Sequence, residues 1–243
     1  MSPGTLYLLP TPLGDIAPVE VLPQQTLNSA RRLDYFLAEN SKSTRAFLKA
    51  LDHPRPINTL EVVEIGHFPD PKRIDEWLQP IRSGRNGAIV SEAGCPGVAD
   101  PGAALVTRAH ELGLRVVPLI GPAAPLLALM ASGLNGQRFR FVGYLPRERS
   151  ACSAAIRALE SASATGETQL FIETPYRNLK LFELLLATCA AATRLTVAID
   201  LSTDAEVVGT RPISQWRKAE QPALTGRPCT FALLAHAQSR APA

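Results

Sequence analysis

Short runs rich in β-branched and aromatic residues alternate with helix-patterned segments along almost the whole chain, and this alternation constrains the fold more than any other feature. Strands are expected over residues 5–9, 35–38, 60–65, 87–91 and 115–119, with helices over 24–32, 43–51, 72–83 and 102–112 between them. Strands that each return through a helix make a parallel sheet with helices on its faces, because a parallel return needs a crossover of that length. The boundary residues agree with the pattern. Asp100 reads as an N-cap, Pro101 as a first helical residue and Gly113 as a C-terminal stop, and Asp70 with Pro71 repeat the opening signature one helix earlier.

Residues 116–136 carry no charge, which is the length of a membrane span. Pro118, Gly121, Pro122 and Pro125 break the run, and Asn135 and Gly136 close it. A buried strand, a tight turn at 120–125 and a short buried helix to about Ser132, stopped by Gly133, are expected instead. The rhythm then resumes with a strand at 140–143, a helix at 150–161, a strand at 169–173, a helix at 178–189 and a strand at 195–201. Toward the C-terminus it changes. Strands at 206–210 and 229–235 are separated by a short helix near 213–218, which predicts antiparallel finishing pairs. The expected class is α/β in two lobes, residues 1–120 with a mainly parallel sheet and 121–243 with a mixed one.

Composition narrows the function classes. With 46% hydrophobic and 19% charged residues, the chain is able to bury a core and is not disordered. A net charge of +3 is mild for a dedicated nucleic-acid binder, though it does not exclude one. No basic segment followed by an apolar one opens the chain, so a cytoplasmic protein without a membrane segment is expected. Cys95, Cys152, Cys189 and Cys229 lie far apart with no C-x-x-C pair, and His53, His67, His110 and His236 are equally scattered, so no metal site is expected.

Ligands of open parallel sheets sit beyond the carboxyl ends of the strands. The turns there read P-T-P-L-G (10–14), E-N-S-K-S-T (39–44), S-E-A-G-C-P-G-V-A-D-P-G (91–102) and I-G-P-A-A (120–124). Three of them are built from Gly, Pro and small residues, which lets a ligand approach the backbone. Neither a phosphate-gripping G-x-x-x-x-G-K-[ST] nor a G-x-G-x-x-G dinucleotide turn is present. Glu39, Lys42, His67 and Glu92 are the polar candidates near strand ends. Each also has a plainer reading: the glutamates as carboxylates at helix N-termini, Lys42 as a solvated lysine, His67 as a structural histidine. Cys95 has no base at a fixed spacing and reads as a small residue rather than a nucleophile. Arg138, Arg140, Arg147, Arg149 and Arg157 concentrate positive charge, either as an RNA-facing patch or as solvated surface.

Taken in order, L-Y-L-L-P-T-P-L-G-D-I (6–16), A-E-N-S-K-S-T (38–44), the 91–102 turn, P-L-I-G-P-A-A (118–124), A-S-G-L (131–134), G-Y-L-P-R (143–147) and E-T-P-Y-R (173–177) resemble the tetrapyrrole methylase superfamily of S-adenosylmethionine-dependent methyltransferases. Their spacing is similar to that of the branch that 2′-O-methylates a cytidine of 16S ribosomal RNA, over residues 4 to about 235. That branch usually reads A-E-D-T-R where this chain has Ala38, Glu39, Asn40, Ser41 and Lys42. It reads S-D-A-G-T-P at residues 91–96, and of its H-x-H-N-E segment His67 is what remains.

The resemblance implies S-adenosylmethionine held in a cleft between the lobes. Pro10, Ser91, Glu92, Ala93, Gly94, Val98, Gly121, Pro122, Ala123 and Ala124 would line its amino-acid and ribose portions, and Phe171, Ile172, Cys229 and Thr230 would flank the adenine. It also implies a homodimer and RNA as the acceptor; methylation of a small molecule such as a tetrapyrrole, or non-catalytic cofactor binding, are the alternatives. Methyl transfer is an in-line displacement that mainly requires positioning and exclusion of water, with a base for a hydroxyl acceptor. Glu39, directly after the second strand, is expected at the cleft, with Lys42 one helical turn on. With His67 these are the candidate catalytic residues.

Overall fold

The computed structural model describes residues 2–235, so His236 lies outside the described residues. It divides into two compact units, Met1–Ala123 and Ala124–Ala243. In the first, β1 (Thr5–Leu9), β2 (Tyr35–Ala38), β3 (Glu61–Glu64), β4 (Gly87–Val90) and β5 (Arg115–Pro118) form one sheet in the order β3-β2-β4-β1-β5. Every pairing is parallel, as the alternation of elements predicts.

All four residues of β2 and of β4 are buried, the continuous apolar run of strands covered on both faces. Alternate residues serve two different cores. Helices α1 (Pro18–Val21), α2 (Gln24–Ala30) and α3 (Ser41–Ala50) pack Leu27, Phe47 and Leu48 on Leu9, Phe36 and Val90. On the other face α4 (Ile74–Arg82) and α5 (Ala103–Glu111) pack Trp77, Leu78 and Leu105 on Leu6, Leu37 and Ile89. The connection leaving β2 therefore runs over one face and that leaving β4 over the other. Between these adjacent strands lies the switch point at which open α/β sheets leave a crevice.

Several boundaries differ from expectation, each for a local reason. Asp100 and Pro101 do not open α5. Its N-cap is Gly102 at φ 139°, with no side-chain cap. The residues before it close a loop of their own, with Gly97 N–H donating to the Pro101 carbonyl and Ala99 at φ 63°. Helix α3 starts two residues early because Asn40 is its cap, accepting from the N–H groups of Lys42 and Ser43 at 3.0 and 3.1 Å. The helix expected from residue 72 begins as a single 3-10 turn, Pro71–Arg73, and here Asp70 does cap, accepting from Lys72 N–H at 2.9 Å. Helix α1 is an addition, its entry favoured by Pro18 at the first position.

The second unit contains α6 (Ala124–Ser132), β6 (Phe139–Tyr144), α7 (Arg149–Ser163), β7 (Thr168–Glu173), α8 (Asn178–Thr188), β8 (Arg194–Ile199), β9 (Val207–Pro212), α9 (Ile213–Trp216) and β10 (Cys229–Leu234). Its sheet order is β6-β7-β10-β8-β9, with β6 and β7 parallel and the other neighbours antiparallel, the mixed sheet expected. The last strand inserts centrally, between β7 and β8. Phe231 there stacks on Phe171 at 5.7 Å between ring centres. Helix α6 is apolar all round but only part of it is buried: Ala128, Leu129 and Ser132 are covered while Leu126 and Met130 are exposed. No helix among the described residues is long and apolar enough to cross a membrane.

Candidate active site

Because all five strands of the first sheet run the same way, their following turns share one edge. Glu39 is fixed there by backbone pairing, its N–H donating to the Val90 carbonyl at 2.9 Å as the β2–β4 ladder runs on by one residue. Its side chain is 9% exposed. One carboxylate oxygen accepts from the Glu92 backbone N–H at 3.1 Å, and the other meets His67 Nδ1 at 2.7 Å. An ionised carboxylate is acceptor-only, so the nitrogen facing it, Nδ1, carries a proton, and in the neutral imidazole the lone pair is then on Nε2. Asn40, not Glu39, is the helix cap, which leaves the Glu39 carboxylate to the site. His67 is half-exposed, with the ring of Phe68 edge-on at 4.6 Å; Phe68 itself is 89% exposed.

The turn after β4 is tied to the turn after β1. Thr11 N–H donates to the Gly94 carbonyl at 2.9 Å, Gly94 N–H returns to the Thr11 carbonyl at 3.1 Å, and the Thr11 hydroxyl donates to the Ser91 carbonyl at 3.3 Å. Gly94 sits at φ 76°, where a Cβ would stand 3.1 Å from a Leu13 methyl. Pro10 and Gly121 are in direct contact: a Cβ on Gly121 would come within 2.3 Å of that of Pro10. The Cys95 thiol donates to the Pro122 carbonyl at 3.4 Å, and burial, with Asp100 nearby, raises its pKa. It is a protonated packing residue rather than a nucleophile. Glu92, Ala93 and Val98 are exposed along this turn, and Pro122 and Ala123 are half-buried.

Asp100, expected as a cap, instead turns toward this cluster. Burial first, and then the charge of Glu39, push its pKa up to about 6. Ser91 has a buried hydroxyl with no partner of normal hydrogen-bond geometry, yet close enough to Asp100 to offset part of that rise. A carboxyl whose pKa is higher folded than unfolded holds its proton more tightly in the native state, so the contribution of Asp100 to stability falls as pH rises from about 4 to about 6 and is level above that. Replacing Asp100 with Asn is expected to remove this slope and to stabilise the chain at pH 7 by about 1 kcal/mol, a value discounted for the solvent that reaches a half-buried group. Melting temperatures of both proteins between pH 4 and 7 check it; parallel curves would refute it.

Lys42 is exposed on the first turn of α3, and its side chain makes no hydrogen bond or ion pair among the described residues. In the second unit, Ile172 and Thr230 are paired neighbours on β7 and β10, as are Glu173 and Cys229. Phe171 is fully buried and Cys229 nearly so, both facing the core. Ala124 opens α6 of that unit. Among the described residues no three of His, Cys, Asp or Glu are grouped as a metal would need.

No model of a known protein family matches the chain. Individual proteins do. It is 31% identical to ribosomal RNA small subunit methyltransferase I of Escherichia coli O157:H7, over 90% of this chain and 74% of that protein. The proteins of the same name from Bacillus subtilis and Halalkalibacterium halodurans are 37% and 36% identical over 72% of this chain, a stretch that spans 56% of each of them. The chain belongs to the ribosomal RNA small subunit methyltransferase I family. Among solved structures, that of the methyltransferase CobJ matches with a TM-score of 0.66 at 16% identity, over all of this chain and 98% of the other. Diphthine synthase matches with 0.64 at 17%, over 96% and 90%. These likenesses carry the fold, which is that of the tetrapyrrole methylases. In this member of the methyltransferase I family, Glu39 and His67 are in contact although 28 residues separate them. Asp100 is the site residue that sequence reasoning assigned elsewhere. The Gly at position 102, able to take φ 139°, was the available signal that the helix starts later.

Proposed function

We propose that this chain transfers a methyl group from S-adenosylmethionine to a ribose hydroxyl of small-subunit ribosomal RNA. The observation that carries the reading is the Glu39–His67 pair at the β2–β4 switch point, beside the turn of residues 91–98. The residues of that turn fit the cofactor. Ser91 offers a buried hydroxyl without a regular partner, Gly94 holds the turn at φ 76° against Leu13 where a side chain would be strained, and Glu92 and Ala93 are exposed. When bound, the cofactor would supply a sulfonium methyl for in-line transfer to the acceptor oxygen, its thioether being the leaving group. Glu39 holds His67 in the tautomer with Nε2 free, and Nε2 takes the proton that the hydroxyl loses. The Glu92 N–H holds the other Glu39 oxygen and keeps the carboxylate from rotating. The 2′-oxygen as the methylated atom, the cytoplasmic setting and the homodimer follow the family likeness and belong to the same proposal.

The test is transfer of labelled methyl from the cofactor to unmethylated small-subunit ribosomal RNA and, in parallel, to a small-metabolite fraction. Label is expected in the RNA, in a dinucleotide that resists alkali because its 2′-oxygen is blocked. Label confined to the metabolites, or incorporated in neither, would overturn the assignment.

A further inference from the structure

A second concentration of chemistry lies in the second unit, on residues that the site above does not use. Arg147 and Arg149, in the turn into α7, and Arg177 and Lys180, at the start of α8, line an open cavity of about 580 Å³ with Cys152, Leu181 and Leu184. Of the five arginines that stood out in the sequence, Arg147 and Arg149 line it; Arg138, Arg140 and Arg157 do not. Arg177 is paired with the buried Glu173 at 3.1 Å and also donates to the Arg147 carbonyl at 3.3 Å, which ties the two turns together. Arg147, Arg149 and Lys180 have no ion-pair partner among the described residues, so three uncompensated cations stand against the single carboxylate of Glu183.

Two further observations point to an anion. Helix α8 begins without a side-chain cap, whereas Glu148 caps α7, and Arg177 and Lys180 of the lining stand at that positive end of the helix dipole. The lining contributed by Cys152, Leu181 and Leu184 is apolar; burial raises the Cys152 pKa and keeps that thiol neutral. Charges above such a floor attract an anion more strongly than they would in open water. Just before Arg177, the ring of Tyr176 is 84% exposed and presents a face on which an unpaired base can stack.

We propose that this cavity grips a phosphodiester group of the RNA strand, so that the second unit supplies backbone affinity while the Glu39–His67 pair supplies chemistry; the inference rests on RNA being the acceptor. The experiment uses the full chain and a short, labelled single-stranded RNA, with binding followed by fluorescence anisotropy over a range of potassium chloride concentrations. The double variant Arg147→Ala, Lys180→Ala removes two exposed side chains and leaves the Arg177–Glu173 pair intact, and its melting curve reports that it folds. Its RNA affinity is expected to fall about tenfold or more, and the slope of log affinity against log salt to flatten by about 0.7 for each cation removed. The KM for RNA should rise while cofactor affinity stays as in the parent. Arg157→Ala, on the exposed side of α7, should match the parent.

A double variant with the parent's affinity, salt slope and KM would overturn the cavity assignment and leave RNA methylation standing. A parent chain that neither binds nor methylates RNA would overturn both. Inorganic phosphate competing as tightly as the RNA itself would assign the cavity to a small phosphate compound and overturn the RNA contact.

Discussion

Glu39→Gln is expected to lower turnover by about a hundredfold or more while cofactor affinity stays nearly unchanged, the share typical of one acid–base arrangement. An ionised Glu39 only accepts, so it enforces the His67 tautomer with a proton on Nδ1. Gln offers an N–H as readily as a carbonyl and no longer dictates which nitrogen holds the lone pair. The amide is still able to accept from Glu92 N–H, and Asn40 still caps α3, so the stability cost should stay within about 1 kcal/mol. Turnover, cofactor binding and melting temperature of this one variant decide the matter. A stable and fully active Glu39→Gln protein removes Glu39 from the mechanism, and an inactive protein that has also lost cofactor binding reassigns it to the cofactor's turn. His67→Gln should reproduce the loss of turnover, because it removes the base itself.

Gly94→Val is expected to abolish S-adenosylmethionine binding, seen as a dissociation constant raised beyond the millimolar range in calorimetric titration. Gly94 holds φ 76°, a conformation that costs a β-branched residue roughly 1–3 kcal/mol, and its Cβ would start 3.1 Å from Leu13. The peptide would have to leave that conformation. With it would go the paired hydrogen bonds to Thr11 that hold the turn of residues 91–98 against the turn after β1. Gly113→Val separates local strain from the loss of a binding surface. Gly113 has φ 67° and nothing within 4 Å of an added Cβ, and it stops α5 away from the turn. It should show a similar loss of stability and normal cofactor affinity. Unimpaired binding by Gly94→Val would exclude the turn as the cofactor's seat.

The fold was legible because its evidence is short-range. The apolar runs of β2 and β4, and the helices between strands, follow from periodicities of two and 3.6 residues that any stretch displays by itself. The parallel sheet of the first unit and the mixed sheet of the second were both expected on that basis. Caps were legible where nothing competed for the side chain, as at Asp70. They failed at Asp100, a residue with good capping chemistry whose side chain was drawn into a half-buried cluster with Ser91 and Glu39. Capping preference is worth about 1 kcal/mol, too little to override the geometry of a turn.

The sequence by itself determined the class of fold, the alternation that creates a ligand-facing sheet edge, and the residues Glu39 and His67 near that edge. It did not determine their partnership. That depended on the strand order β3-β2-β4, which sets β3 and β4 on either side of β2, so that one carboxylate at the end of β2 reaches the imidazole of His67 beyond β3 and the backbone of Glu92 beyond β4. Tertiary structure likewise decided that β10 inserts between β7 and β8, and that Arg147 shares a cavity with Lys180 while Arg140 and Arg157 do not. The physical reason is the same in each case. Periodicity, capping and turn chemistry act over a few residues and are written locally, whereas strand order and the meeting of side chains tens of residues apart are fixed by the burial of whole faces against one another.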